Sequence, residues 1–205
     1  MLWTGATPYD AATLAREVTV VQQRIDATGV VGATVRAVGE DRLVVGFAAG
    51  VDPDPLRRLI GQRGEVAFVP LGTTAAVQGE LIDRAKFPAL FGADGIASAS
   101  IGSDQTGQRV VTITLSPAAA RLFGDYTAAH IGDYLAITVD DRVISAPVIN
   151  SAIPGGSVEI SQAGATDGWD PIEASEFVTV ILGPLPVALM EVSSEPAAIE
   201  PSAIP

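Results

Sequence analysis

One imidazole, two pairs of aspartates and one glycine-containing loop are the groups in this chain whose types and spacing could do chemistry. His130 is the only histidine, so any Ser/His/Asp relay must pass through it. It stands at the C-terminal end of a stretch that reads as helix, where the dipole favours a cation and surface residues are common. Asp52/Asp54 and Asp140/Asp141 could share a cation or divide acid and base roles. The first pair opens a helix and the second occupies a tight turn, however, and both positions select Asp for its backbone hydrogen bonds. Pro154-Gly155-Gly156-Ser157 could present N–H groups to an anion, but no Lys or Arg adjoins it and a strand rather than a helix follows. Cysteine is absent, which excludes thiol catalysis, disulfides and Cys-containing zinc sites. With aromatics at 5%, a carbohydrate cleft is unpromising. The expectation is no catalytic residue, no cofactor and no metal, with a hydrolase using His130 as the rival reading.

A different feature stands out in the segment from Val143 to Ile153. Val148, Ile149 and Ile153 are apolar residues on a loop interrupted by Pro147 and Pro154, and such residues either pack onto the body or meet a partner. Charge narrows the partner. Twelve basic against 24 acidic residues give a net charge of −12, a field that repels phosphate backbones and anionic lipid, so no nucleic acid is expected. The longest apolar stretch, Phe177 to Met190, falls short of the ~20 residues of a spanning helix and carries Pro184 and Pro186. The first five residues have neither the basic segment nor the apolar run of a leader. At 205 residues and 48% hydrophobic content the chain can bury one substantial core or two small ones.

The elements that must position these residues follow from periodicity. Apolar positions from Ala12 to Ile25 recur at helical spacing up to Gly29, with Arg16, Gln22, Gln23, Arg24 and Asp26 expected on the polar side. Strands are predicted at Val31–Ala37 and Arg42–Phe47, a helix after Asp52-Pro53-Asp54-Pro55, and a strand at Glu65–Leu71. Gly72 to Ser103 shows no clean period. Arg109–Leu115 alternates as a strand, and Ser116-Pro117 caps a helix running to about His130. Strands are predicted at Tyr134–Val139 and Arg142–Ile149, with Ser157–Ser161 as continuation or partner, then a helix at Pro171–Leu182 and a strand at Pro186–Val192. The fold class is α+β with antiparallel sheets. The second part, β-α-β-β-α-β, matches the ferredoxin-like motif, and the first would match it given one more strand.

The loop region is also where the sequence becomes specific. Arg142-Val143-Ile144-Ser145-Ala146-Pro147-Val148-Ile149-Asn150, with Ile153-Pro154-Gly155-Gly156-Ser157-Val158-Glu159-Ile160-Ser161, closely resembles the signature of the large extracytoplasmic domain of the SecD family of bacterial protein-export subunits. Val21-Gln22-Gln23-Arg24-Ile25-Asp26-Ala27-Thr28-Gly29-Val30, Asp41–Val45, Thr112–Ser116 and Gly183–Val187 follow in the same order, so the resemblance runs from about Tyr9 to Val192. The family's opening Asp-x-x-Gly-Gly strand and its membrane helices have no counterpart here. The tail 193–205, with three prolines, is expected to be disordered from its composition, while the resemblance implies a base (1–72 with 186–192) and a head inserted into it (73–185). It implies a domain at the extracytoplasmic face of the membrane, anchored by helices outside this chain. There it would engage unfolded translocating polypeptide beside the SecYEG channel and a SecF-like subunit, and aid translocation driven by the proton gradient. The residues assigned to polypeptide contact are Val148, Ile149, Ile153, Pro154, Gly155 and Gly156. A free-standing secreted binding module of the same fold is the alternative.

Overall fold

The computed structural model describes residues 1–5, 10–161 and 168–193, and the chain divides into two compact units: Met1–Gly61 with the segment from Pro186, and Gln62–Leu185. In the first unit, β1 (Leu2–Gly5), α1 (Ala11–Ala27), β2 (Thr34–Val38), β3 (Arg42–Gly46) and α2 (Pro53–Gly61) are completed by β11 (Leu189–Ser193). The sheet order β11-β1-β3-β2 is antiparallel throughout. The strand missing from the sequence pattern is thus Leu2–Gly5, too short to show a period, and β11 lies beside it. Asp10 caps α1 by accepting from the Thr13 N–H. Arg24, expected on the polar side, is fully buried: its Nη1 donates to the Leu59 carbonyl at 2.8 Å. That carbonyl is among the last four of α2, which have no partner inside the helix, and the cation meets the negative end of the dipole. Gln22 fastens β2 by accepting from the Val35 N–H.

The second unit holds two sheets. One has the order β5-β4-β8-β9, built from β4 (Val66–Gly72), β5 (Phe91–Gly92), β8 (Tyr134–Val139) and β9 (Arg142–Ser145). The other has the order β10-β7-β6, built from β6 (Ile96–Ser103), β7 (Arg109–Leu115) and β10 (Ser157–Ile160). Helices α3 (Pro117–Ala129) and α4 (Pro171–Leu182) complete it. Two expectations are corrected here. Strand Val66–Gly72, placed with the base by the sequence reading, pairs with β8, so the boundary falls at Gly61/Gln62 rather than after residue 72. The second part is also not one ferredoxin-like sheet: β7 and β8 lie in different sheets, and the last strand belongs to the first unit. Of the segment 193–205 expected to be a disordered tail, Ser193 is instead the last residue of β11, and 194–205 lie outside the described residues.

Alternation along β4 and β8 gives their sheet two buried faces. Ala67, Val69, Leu71 and Ala136 pack with Ile82, Phe87 and Ala89 from the segment after β4. On the opposite face Phe68 stacks on Phe91 at 4.5 Å, and both meet the ring of Phe123 edge-on at 5.8 and 6.1 Å. Helix α4 lies against β6 and β7. Trp169 stacks on Phe177 at 5.0 Å and donates its indole N–H to the Ile160 carbonyl.

Candidate functional site

The loop that carries the apolar residues leaves one sheet of the second unit and enters the other. Strand β9 stops at Ser145 because Pro147 has no N–H for the ladder. Beyond the proline the chain rejoins the start of β8: Leu135 N–H donates to the Pro147 carbonyl (3.1 Å), Ile149 N–H to the Asp133 carbonyl (2.9 Å) and Gly132 N–H to the Ile149 carbonyl (2.9 Å). The expected strand Arg142–Ile149 is therefore broken at its middle. Ser157–Ile160 neither continues it nor pairs with it, but lies antiparallel to β7.

The returning limb sits on α3, on a face of small residues at helical spacing, Ala120, Gly124 and Thr127. A Cβ at Gly124 would stand 3.2 Å from Cα of Pro154, so only glycine lets the loop cross here without a shift. Thr127 Oγ1 accepts from the Ile153 N–H at 2.9 Å while donating to the Phe123 carbonyl. Gly156 has φ +65°, is buried, and would place a Cβ 2.6 Å from that of Ala120. Its carbonyl accepts from the Leu115 N–H at 2.7 Å. These α3 residues carry no signal in composition; their i, i+4, i+7 spacing is the trace they leave in the sequence.

Between the two limbs lies a cleft of about 310 Å³. Phe123 and Thr127 of α3, Leu135 and Ile137 of β8, Val148, Ile149 and Ile153 of the loop, and Val158 of β10 line it. Ser145, Asn150, Ser151 and Ser157 add polar groups, and among the described residues Glu159 is the single ionisable group on its wall. The cleft therefore suits apolar side chains, with one carboxylate to favour a basic neighbour over an acidic one.

The six residues assigned to polypeptide contact divide by environment. Val148 is 37% exposed, Pro154 and Gly155 are exposed, and Ile153 is half-buried in the cleft wall. Ile149, at 5% exposure, and Gly156 are buried, so the expectation that Ile149 offers an open apolar surface is corrected. Each is held by the backbone bonds that close its limb onto the body.

The other sequence candidates have local tasks. His130 stacks on Tyr126 (4.0 Å, 11°) with Nδ1 against the Tyr126 carbonyl of its own helix, and among the described residues no hydrogen bond joins it to an Asp or Glu. Burial, with Asp133 nearby, pushes the Tyr126 hydroxyl above its ordinary pKa. Asp140 and Asp141 both have positive φ, 50° and 62°, the requirement of a type I′ hairpin turn. The Asp140 carboxylate also accepts from the N–H groups of Gly64 and Glu65. Asp52 accepts from the Asp54 N–H at the start of α2, and Asp54 pairs with Arg57. Among the described residues no group of three His, Asp or Glu side chains converges on a cation position, and no helix is long and apolar enough to cross a membrane.

Residues 67–186 match the family model "SecDF, P1 head subdomain", and residues 14–73 match "Protein translocase subunit SecDF, P1 domain, N-terminal". The protein translocase subunit SecD of Rhodobacter capsulatus is 31% identical over 198 residues, covering 88% of this chain and 35% of that protein. Two solved structures are similar. One, described as "Crystal structure of SecDF in Super-membrane-facing form", gives a TM-score of 0.73 at 28% identity over 94% of this chain and 29% of that one. The other, described as "Structure and function of a membrane component SecDF that enhances protein export", gives 0.69 at 27% identity over 95% of this chain and 98% of that one. The chain spans about a third of the length of the curated relative. With the head and N-terminal models together spanning residues 14–186, the chain belongs to the SecD family of protein translocase subunits and is similar to its periplasmic P1 domain.

Proposed function

We propose that this domain engages polypeptide emerging from the SecYEG channel on the extracytoplasmic side, and that its apolar cleft is where it does so. The observation that carries this reading is the cleft itself, an apolar recess about 310 Å³ in volume with a half-exposed lip at Val148 and Ile153. An unfolded segment presents apolar side chains in no fixed order, and a recess whose wall is largely apolar, with small polar groups at Ser145, Asn150, Ser151 and Ser157, accepts them with little sequence preference. The domain carries out no catalytic step. It holds chain while membrane helices outside this sequence, together with a SecF-like subunit, use the proton gradient to drive translocation.

The test is site-specific crosslinking of an arrested export substrate to the membrane-anchored protein. Val148→Ser and Ile153→Ser together are expected to reduce crosslinking severalfold, and Val148→Ser by itself to change stability by no more than about 1 kcal/mol. Unchanged crosslinking in the double variant overturns the assignment of the cleft.

A further inference from the structure

Opposite the cleft-lining strand β10, the same sheet ends on β6, and the outer edge of β6 carries a second binding element. The strand reads Ile-Ala-Ser-Ala-Ser-Ile-Gly-Ser from Ile96 to Ser103, without a charge or a proline. It pairs with β7 on one side, residue for residue from Ser98 to Ser103, with its one irregularity at Ile96/Ser98. Among the described residues nothing pairs with the other side. Six regular residues at ~3.4 Å each leave roughly 20 Å of alternating free N–H and C=O groups. Proteins usually blunt such an edge with lysine, proline, a bulge or a covering segment, and Ser98–Ser103 carries none of these. Helix α4 against the sheet keeps the strand in place.

The edge selects its own occupant. Donors and acceptors that alternate at strand spacing are met only by another backbone in extended conformation. The nearest acidic residues in sequence, Asp94 and Asp104, bracket the strand, and the chain as a whole carries −12. An acidic segment is therefore disfavoured and a neutral or basic one favoured.

We propose that the β6 edge binds an extended, uncharged or basic segment of unfolded polypeptide by adding it to the sheet as a further strand. This rests on the reading that the domain engages unfolded chain, and differs from it in place and mechanism: β6 reads the backbone, which every polypeptide shares, whereas the cleft reads apolar side chains.

The experiment uses the full chain and two probes. One is a ten-residue peptide of alternating Val and Thr with a lysine at each end; the other is the same peptide N-methylated at its four central residues. The unmethylated peptide is expected to slow hydrogen exchange at amides within Ser98–Ser103, and the methylated one, lacking those donors, to bind about tenfold more weakly or worse. Ser98→Lys with Ser100→Lys is expected to weaken binding while leaving the melting temperature in place. Equal affinity for the two peptides, or protection confined to the cleft, overturns the proposal. So does protection of β6 that grows with protein concentration in the absence of peptide, which makes a second copy the occupant. The two sites fail separately. Loss of crosslinking in the Val148/Ile153 variant without β6 protection removes the edge and keeps the cleft. Protection of β6 with crosslinking unchanged in that variant does the reverse.

Discussion

Gly156 illustrates how one residue can sit inside a recognised motif for reasons of architecture. A side chain there meets Ala120 at 2.6 Å and must also adopt φ +65°. Gly156→Ala is therefore expected to destabilise the second unit by about 1–3 kcal/mol, read by chemical denaturation. Adding Ala120→Gly should recover the steric part and leave the backbone part. Ile149 belongs to the same class: Ile149→Ser should cost about 2 kcal/mol or more, because a buried apolar side chain is lost and a hydroxyl takes its place. In the first unit Arg24→Ala should cost about 2–4 kcal/mol, since it empties a buried volume and strips the Leu59 carbonyl of its donor. Asp104 shows the matching electrostatic effect at the surface. Hydrogen bonds from the Thr106 hydroxyl, and from the backbone N–H groups of Gln108 and Thr106, hold its carboxylate below the ordinary Asp range. A lowered folded-state value means that the turn is stabilised above the unfolded Asp pKa and loses that support as pH falls through the folded one. Carboxyl NMR titration should find Asp104 below the usual value, and Thr106→Val should raise it.

At the scale of elements, the loop from Ala146 to Gly156 is a bridge between two sheets, and its prolines and glycines have separate uses. Pro147 ends one ladder, whereas Gly156, against Ala120, and Gly124, under Pro154, let the other limb lie against α3. Helix α3 takes part in the cleft through Phe123 and Thr127 on the face that also receives Ile153. Thr127→Val keeps the shape of that face but removes the acceptor for the Ile153 N–H. It is expected to lower stability by about 1 kcal/mol, and amide exchange at Ile153 and its neighbours should rise before exchange elsewhere in the unit. A uniform rise across the unit would instead mean that the limb and the body open together.

At the scale of the whole molecule, the first unit depends on a strand that arrives after the entire second unit has been made. β11 pairs with β1, buries Leu189 and brings Glu191 to Arg57 at 3.1 Å. Ending the chain after Leu185 should unfold the first unit and spare the second. The two tryptophans report on this directly, since buried Trp3 lies in one unit and buried Trp169 in the other. In the truncated chain, Trp3 emission, isolated by Trp169→Phe, should shift to the red. Trp169 emission, isolated by Trp3→Phe, should stay at its native wavelength and melt in a single transition. A red shift of both would show the second unit to need the first.

Local chemistry determined much of this molecule. Helix α4, read at Pro171–Leu182, and strand β8, read at Tyr134–Val139, have those bounds in the structure, because a proline at the first helical position and a continuous apolar run are signals carried by the residues themselves. The signature around Pro147 and Pro154 placed the cleft-bearing loop in the same way. What lay beyond sequence reading is whatever depends on a partner distant in the chain. Strand β6, made mostly of small residues, has no period of its own and is a strand because β7 supplies the ladder. Leu2–Gly5 is a strand because β3 and β11 flank it, and Val66–Gly72 went to the second unit because β8 was the partner available. Arg24 is of a residue type expected at the surface, and its hydrogen bond to the Leu59 carbonyl at the end of α2 depends on a partner distant in the chain. Ile149 and Ile153 are alike as residues. The hydrogen bonds that close each limb onto the body buried the first and left the second on the lip of the cleft.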